Sequence, residues 1–208
     1  MLEEMKYPIN EVFRSLQCEG FYSGRTAVFI RFSGCNKSCS WCDTDHTTKL
    51  ELTPSEIIEH MTATGWKEAD LVVLTGGEPT IHNLEPICKE IIKAHAGVEI
   101  AIETNGTNCS ELRRLRNDQL LNWITISPKD INDACKDWRN LANEVKIVMD
   151  PKNLPHLYEL FISPCLFDDE HCCFIQPCSQ DYAPAVKYVL EHPQWRLSVQ
   201  TQKIIKVL

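Results

Sequence analysis

Short apolar runs recur along the chain, and most of the gaps between them carry helical spacing. Thr26–Phe32 (TAVFIRF) is a nearly continuous apolar run of strand length and leads straight into a cysteine-rich loop. Thr53-Pro54-Ser55-Glu56 has a capping threonine, proline at the first helical position and glutamate three residues on. That pattern predicts a helix from there to about Met61. Residues 70–74 (DLVVL) predict a buried strand ending in Gly76-Gly77, and Leu84, Ile87, Cys88, Ile91 and Ile92 fall on one helical face. Further strands are expected at residues 98–102, ahead of Glu103-Thr104-Asn105-Gly106, and at Trp123–Ile126, ahead of Ser127-Pro128-Lys129. Residues 145–149 and 173–175 follow, then a helix over 183–190 and a last strand over 196–200.

Strands alternating with helices imply an α/β fold with a parallel sheet and right-handed crossovers. In such sheets function gathers at the carboxyl ends of the strands. The polar and glycine-rich segments SGC, TGGEP, ETNG, SPK and QPCS all fall there. The 208 residues suit a single domain, 1–208, but are few for a closed eight-unit barrel, which takes about 250. About six parallel strands in a partial, open β/α barrel are expected.

Composition narrows the class. The chain is 43% hydrophobic and 24% charged, as a globular protein is. A net charge of −8 argues against a broad phosphate-binding face, so no nucleic-acid partner is expected. MLEEMKYPINEVF lacks the basic start and apolar core of a secretion signal, and no apolar run is long enough to span a bilayer. A cytoplasmic location with no membrane partner is the expectation. Eleven cysteines then point to reduced thiols, a subset of them binding metal, rather than to a disulfide framework.

The cysteine loop reads C-N-K-S-C-S-W-C, with Cys35, Cys39 and Cys42 in a C-x3-C-x2-C pattern. Three thiolates so close can wrap one [4Fe–4S] cubane and leave the fourth iron without a protein ligand. That open iron can chelate S-adenosylmethionine (SAM) and pass it an electron. The same residues with His46 also satisfy the ligand count of a Cys3His zinc site.

Context favours the cluster. The loop follows one strand, TGGEP ends the next, and Trp41 stands just before the last cysteine. This order resembles the radical SAM superfamily, in which TGGEP-like segments bind the SAM amino group.

A longer run of segments resembles one family within it, the 7-carboxy-7-deazaguanine synthases of queuosine precursor biosynthesis. These are YPINEVFRSLQCEGFYSG, AVFIRFSGC, CDT, TGGEP, ETNGT, SPK, a Q-P-x-S segment and WRLSVQTQK. The resemblance implies a carbon–nitrogen lyase of modified-barrel fold. It would convert 6-carboxy-5,6,7,8-tetrahydropterin to 7-carboxy-7-deazaguanine and ammonia after a 5′-deoxyadenosyl radical removes hydrogen from C6. It also implies regenerated SAM, a Mg²⁺ ion, a homodimer and an electron donor such as flavodoxin or ferredoxin.

Residue roles follow from the same resemblance. Cys35, Cys39 and Cys42 would hold the cluster, and Thr44 would bind Mg²⁺ through its hydroxyl. Leu16, Gln17, Cys18, Glu19, Arg31 and Thr75 would bind the pterin. Gly77, Glu103, Ser127, Pro128, Lys129, Gln176, Pro177, Cys178 and Ser179 would contact SAM. No catalytic group from the protein beyond the cluster is implied. Arg31 sits in the apolar run VFIRF and needs a partner: the substrate carboxylate in a bidentate pair, or a local glutamate.

Two positions depart from the pattern. Cys18 replaces the glycine of L-Q-G-E-G, and Gln202 stands where relatives commonly carry histidine. A small activase that makes a glycyl radical on a partner protein shares the cluster loop. It has no reason to carry LQCEG, Arg31 and WRLSVQTQK. Cys172, Cys173 and Cys178 read as a buried strand and its end rather than as a second cluster.

Overall fold

The structure, a computed structural model, describes residues 5–67, 70–130, 138–149, 172–178 and 181–207. Among these residues nine strands form one sheet in the order β3-β1-β2-β4-β5-β6-β7-β8-β9. They are β1 (Tyr7–Leu16), β2 (Thr26–Phe32), β3 (Leu50–Leu52), β4 (Leu71–Gly76), β5 (Ile100–Thr104), β6 (Trp123–Ile126), β7 (Glu144–Met149), β8 (Cys172–Pro177) and β9 (Arg196–Leu197). From β2 through β4 to β9 every neighbour is parallel. Among the described residues the parallel run therefore has seven strands, one more than the sequence suggests, and its edge strands β2 and β9 do not pair with each other.

Helices α1 (Pro54–Ala63), α2 (Glu85–Ala94), α3 (Cys109–Asn117) and α4 (Ala183–Glu191) cover the outer face. The capping box that predicts α1 is complete: Glu56 N–H donates to Thr53 Oγ1 at 3.2 Å and Thr53 N–H donates to Glu56 Oε2 at 2.7 Å. Ile57 and Met61 of α1 and Ile87, Cys88 and Ile91 of α2 pack with Val28, Ile30, Phe32, Val72 and Leu74 into the main core.

Side chains alternate faces along a strand, and the inner face is graded from end to end. Ala27, Phe29, Leu71, Val73 and Ala101 form a second, smaller apolar cluster toward the amino ends, with Phe13, Tyr22 and Trp123 against it. Two residues further along the same face come Arg31, Thr75 and Glu103, with Arg31 beside Thr75 in register. β7 puts Glu144, Lys146 and Val148 on this face. The fold thus closes the base with apolar side chains and keeps polar ones at the carboxyl ends.

Several elements differ from expectation: β5 starts at Ile100 and runs to Thr104, and β1, β3 and α3 match no expected element. β1 pairs antiparallel with β2, and the register shifts between Ile9 and Glu11. That irregularity breaks the period-two pattern that would mark β1 in the sequence. The last strand stops at Leu197 rather than running to residue 200. Beyond Ser198 the chain leaves the ladder and ties to the loop after β1, where Thr201 Oγ1 donates to the Cys18 carbonyl at 3.0 Å.

Candidate active site

A cavity of about 420 Å³ opens at the carboxyl ends of the parallel strands. The loop between β2 and β3 forms one wall and brings Cys35, Cys39 and Cys42 to it. None of the three is disulfide-bonded. The loop is pinned at both ends: Gly34 N–H donates to the His46 carbonyl at 3.0 Å, and Ser33 Oγ donates to the Thr47 carbonyl at 3.1 Å. Among the described residues no three His, Cys, Asp or Glu close on a common point as a metal group, His46 included. Three thiols on one open loop suit a cluster that needs only three protein ligands. Cys109, by contrast, is disulfide-bonded, an exception to the expectation of reduced thiols.

The TGGEP turn packs backbone to backbone against this loop. Gly77 N–H donates to the Phe32 carbonyl at 3.1 Å, and Glu78 N–H to the Gly34 carbonyl at 3.0 Å. A Cβ on Gly77 would sit 1.9 Å from the Gly34 oxygen, and Gly76 has φ +135° with the Phe32 oxygen 2.1 Å from where its Cβ would be. Only glycine fits either position.

Glu78 is fully buried and holds the next loop. Its carboxylate accepts from Thr80 N–H (3.0 Å), Thr80 Oγ1 (2.6 Å), Thr104 Oγ1 (2.6 Å) and Asn105 N–H (2.6 Å). Four donors satisfy a charge that would otherwise be costly to bury. Asn105 Nδ2 in turn donates to Asn36 Oδ1 at 2.8 Å, so the ETNG segment is tied to the cysteine loop.

The cavity floor is a charge cluster. Lys146 Nζ lies 2.6 Å from Glu19 Oε2 and 3.6 Å from Glu103 Oε1. Glu19 Oε1 also accepts from Gln200 Nε2 and Gln202 Nε2, each at 2.9 Å. Burial pushes the Glu19 carboxyl up, but Lys146 and the two amides outweigh it and hold it well below the usual carboxylate range. Burial likewise opposes the Lys146 charge, and Glu103, Glu19 and Glu144 together hold it above the ordinary lysine range. Gln17 Nε2 and Thr75 Oγ1 donate to Glu103 at 3.1 and 3.3 Å. Gln17 Oε1 folds back to accept from the Cys18 and Glu19 N–H groups, at 2.9 and 3.2 Å, and shapes that turn. Among the described residues, buried Gln202 Oε1 meets no hydrogen-bond donor.

Of the residues singled out in the sequence, Leu16, Gln17, Cys18, Glu19, Arg31, Thr44, Thr75, Gly77, Glu103, Ser127, Lys129 and Gln176 line this cavity with the three cysteines. Pro128, Pro177 and Cys178 are not among its lining residues, and Ser179 lies outside the described residues. Arg31 takes the local partner: its Nε donates to Glu11 Oε1 at 2.7 Å, and its guanidinium lies 5.4 Å from the Phe13 ring centre. Lys129 Nζ donates to Ser127 Oγ at 2.8 Å and sits over the Trp41 ring at 5.3 Å. Burial, and then Lys146, push its ammonium down.

Sequence reading missed Lys146, Gln200, Asp43 and Lys203. Lys203 Nζ pairs with Asp43 Oδ2 at 2.6 Å and so ties the C-terminal segment to the cysteine loop. Lys146 carries the signal that marks Arg31, a charge inside an apolar strand (EVKIVM).

Comparison with known proteins shows what the chain is similar to. The model of the radical SAM superfamily matches residues 29–150. The 7-carboxy-7-deazaguanine synthase of Bacteroides thetaiotaomicron is 40% identical over 204 residues, covering 98% of this chain and all of that one. The enzyme of the same name from Escherichia coli (strain K12) is 35% identical over 236 residues, covering 98% and 100%. The crystal structure of QueE from Escherichia coli superposes with a TM-score of 0.71 at 29% identity, over 94% of both chains. With the cysteine loop, the TGGEP turn, the loop after β1 and the segment 200–203 converging on one cavity, this protein belongs to the 7-carboxy-7-deazaguanine synthase family of the radical SAM superfamily.

Proposed function

We propose that this chain converts 6-carboxy-5,6,7,8-tetrahydropterin to 7-carboxy-7-deazaguanine with release of ammonia. Membership in the superfamily brings a [4Fe–4S] cluster and SAM, which together supply a hydrogen-abstracting radical when bound. Cys35, Cys39 and Cys42 would hold the cluster. The observation that carries the reading is that these thiols and the Gln17–Cys18–Glu19 turn line the same cavity.

The chain's own residues would bind and orient. Glu19, ionised beside Lys146, accepts N–H groups of the pterin amino-pyrimidine edge. Gln17, Thr75 and the backbone at Leu16 and Cys18 complete that wall. Arg31 would share its guanidinium between Glu11 and the substrate carboxylate. Gly77, Glu103, Ser127, Pro128, Lys129, Gln176, Pro177, Cys178 and Ser179 would contact SAM. Thr44, on the cavity wall two residues past Cys42, would give its hydroxyl to Mg²⁺, a cation that takes few protein ligands and prefers hard oxygens.

A homodimer, reduction by a flavodoxin or ferredoxin, and a cytoplasmic location complete the reading. No helix among the described residues is long and apolar enough to cross a membrane. Anaerobic protein given reductant, SAM, Mg²⁺ and the tetrahydropterin should release ammonia and 7-carboxy-7-deazaguanine. SAM cleavage without pterin turnover would sink the substrate assignment and leave the superfamily intact.

A further inference from the structure

Lys146 lies on the inner face of β7, between Glu144 and Val148, with its side chain 6% exposed. A buried ammonium needs one carboxylate, and this one is paired with two and faces a third carboxyl group. Glu19 approaches from the loop after β1, Glu103 from β5 and Glu144 from β7 itself. Among the described residues, the other charged or titratable side chains on the cavity, the cysteines aside, are Lys129, from the loop after β6, the Asp43–Lys203 pair beyond Glu19, Arg31 on β2, and Lys37 and His46 of the cysteine loop. β8 contributes the uncharged Gln176.

The three carboxylates are not equivalent. Glu103 is held by Gln17 and Thr75, and Lys146 stands 3.6 Å away. Glu144 takes Phe21 N–H at 3.1 Å and Trp123 Nε1 at 3.3 Å. Glu19 alone has Lys146 within 2.6 Å. Without Lys146, Glu19 would be a buried carboxyl beside other carboxylates, and burial with like charges favours the protonated form. A protonated carboxyl donates from one oxygen, whereas an ionised one only accepts.

We propose that Lys146 is a positioning residue for the substrate: it holds Glu19 ionised and fixed, so that Glu19 is an obligate acceptor for the pterin N–H groups. The role rests on the pterin reading above. Lys146 does not touch the reacting atoms; it sets what Glu19 can recognise. It also explains the placement of Gln200 and Gln202, which donate to the Glu19 oxygen that Lys146 does not hold.

The test is the KM for 6-carboxy-5,6,7,8-tetrahydropterin across pH in wild type, Lys146→Met, Glu19→Gln and the double variant, with iron content per chain measured in each. In Lys146→Met the KM should exceed that of wild type by about tenfold or more. The ratio should grow as pH falls, because Glu19 then takes up a proton. Glu144→Gln in the wild-type and Lys146→Met backgrounds removes the contribution of Glu144, whose carboxyl burial pushes up to about 7. Lys146→Arg should restore a ratio that is flat with pH. Adding Lys146→Met to Glu19→Gln should change KM little, because the group it controls is gone. Should Lys146→Met not fold, Lys146→Gln and Glu19→Gln/Lys146→Gln carry the same comparison. A pH-independent ratio, or effects of the two substitutions that simply add, would overturn the role. If wild type itself leaves the pterin untouched, the reaction fails and this role with it; an active wild type with a flat ratio overturns the role alone.

Discussion

Gln202 Nε2 donates to Glu19 Oε1 at 2.9 Å, joining residues 183 positions apart in the chain. Gln202→Ala would remove one charged hydrogen bond at the cavity, an interaction worth about 1.5–3 kcal/mol. The KM for the pterin should rise roughly tenfold, with iron content and the rate of SAM cleavage unchanged. Steady-state kinetics beside an iron assay checks this; equal loss in both readouts would mean that the tail supports the fold and not the pocket.

Gly77 abuts the Gly34 carbonyl so closely that no Cβ fits. Gly77→Ala must separate the TGGEP turn from the cysteine loop, at an overpacking cost of about 1–3 kcal/mol. Thermal melting should show the loss. Anaerobic reconstitution should show reduced iron uptake, because the displaced segment carries Cys35.

Asp70 is buried and bound by Arg14 through Nε at 2.6 Å and Nη2 at 3.0 Å. The Arg14 hydrogen bond holds its carboxyl at about 2, below the ordinary 3.8 and against the push of burial. A lowered folded-state value gives stability that is present above the unfolded value and lost as pH falls through the folded one. Urea unfolding of the protein should therefore weaken between about pH 4 and 2 by on the order of 1–2 kcal/mol from this group. Asp70→Asn should remove that part of the slope while lowering stability at neutral pH.

Thr44→Ala should weaken the dependence of turnover on Mg²⁺ while retaining the cluster. A Mg²⁺ titration at fixed iron content measures it, and an unchanged midpoint would exclude the hydroxyl as a ligand.

Much of this fold is legible from apolar runs because its strands are buried on both faces. Thr26–Phe32 and Trp123–Ile126 match their strands residue for residue. The capping box places the start of α1 for the same local reason. β1 is not legible, since its irregular register with β2 scrambles the alternation. The site divides along similar lines. Cys35, Cys39 and Cys42 are marked by spacing, and Glu19 by its segment. Gln200 and Lys203 act through contacts with Glu19 and Asp43 that span well over a hundred residues, and nothing local in the sequence announces them. Arg31 shows the limit of a good rule: a charge in an apolar strand needs a partner, but sequence could not choose between Glu11 and a substrate.

The central claim is that the radical source and the pterin meet in this cavity. Substrate deuterated at C6, incubated anaerobically with the reduced enzyme, SAM and Mg²⁺, tests it most directly. Deuterium should appear in the recovered SAM as 7-carboxy-7-deazaguanine accumulates. Deuterium retained in unreacted pterin, with 5′-deoxyadenosine as the only new product, would contradict the account.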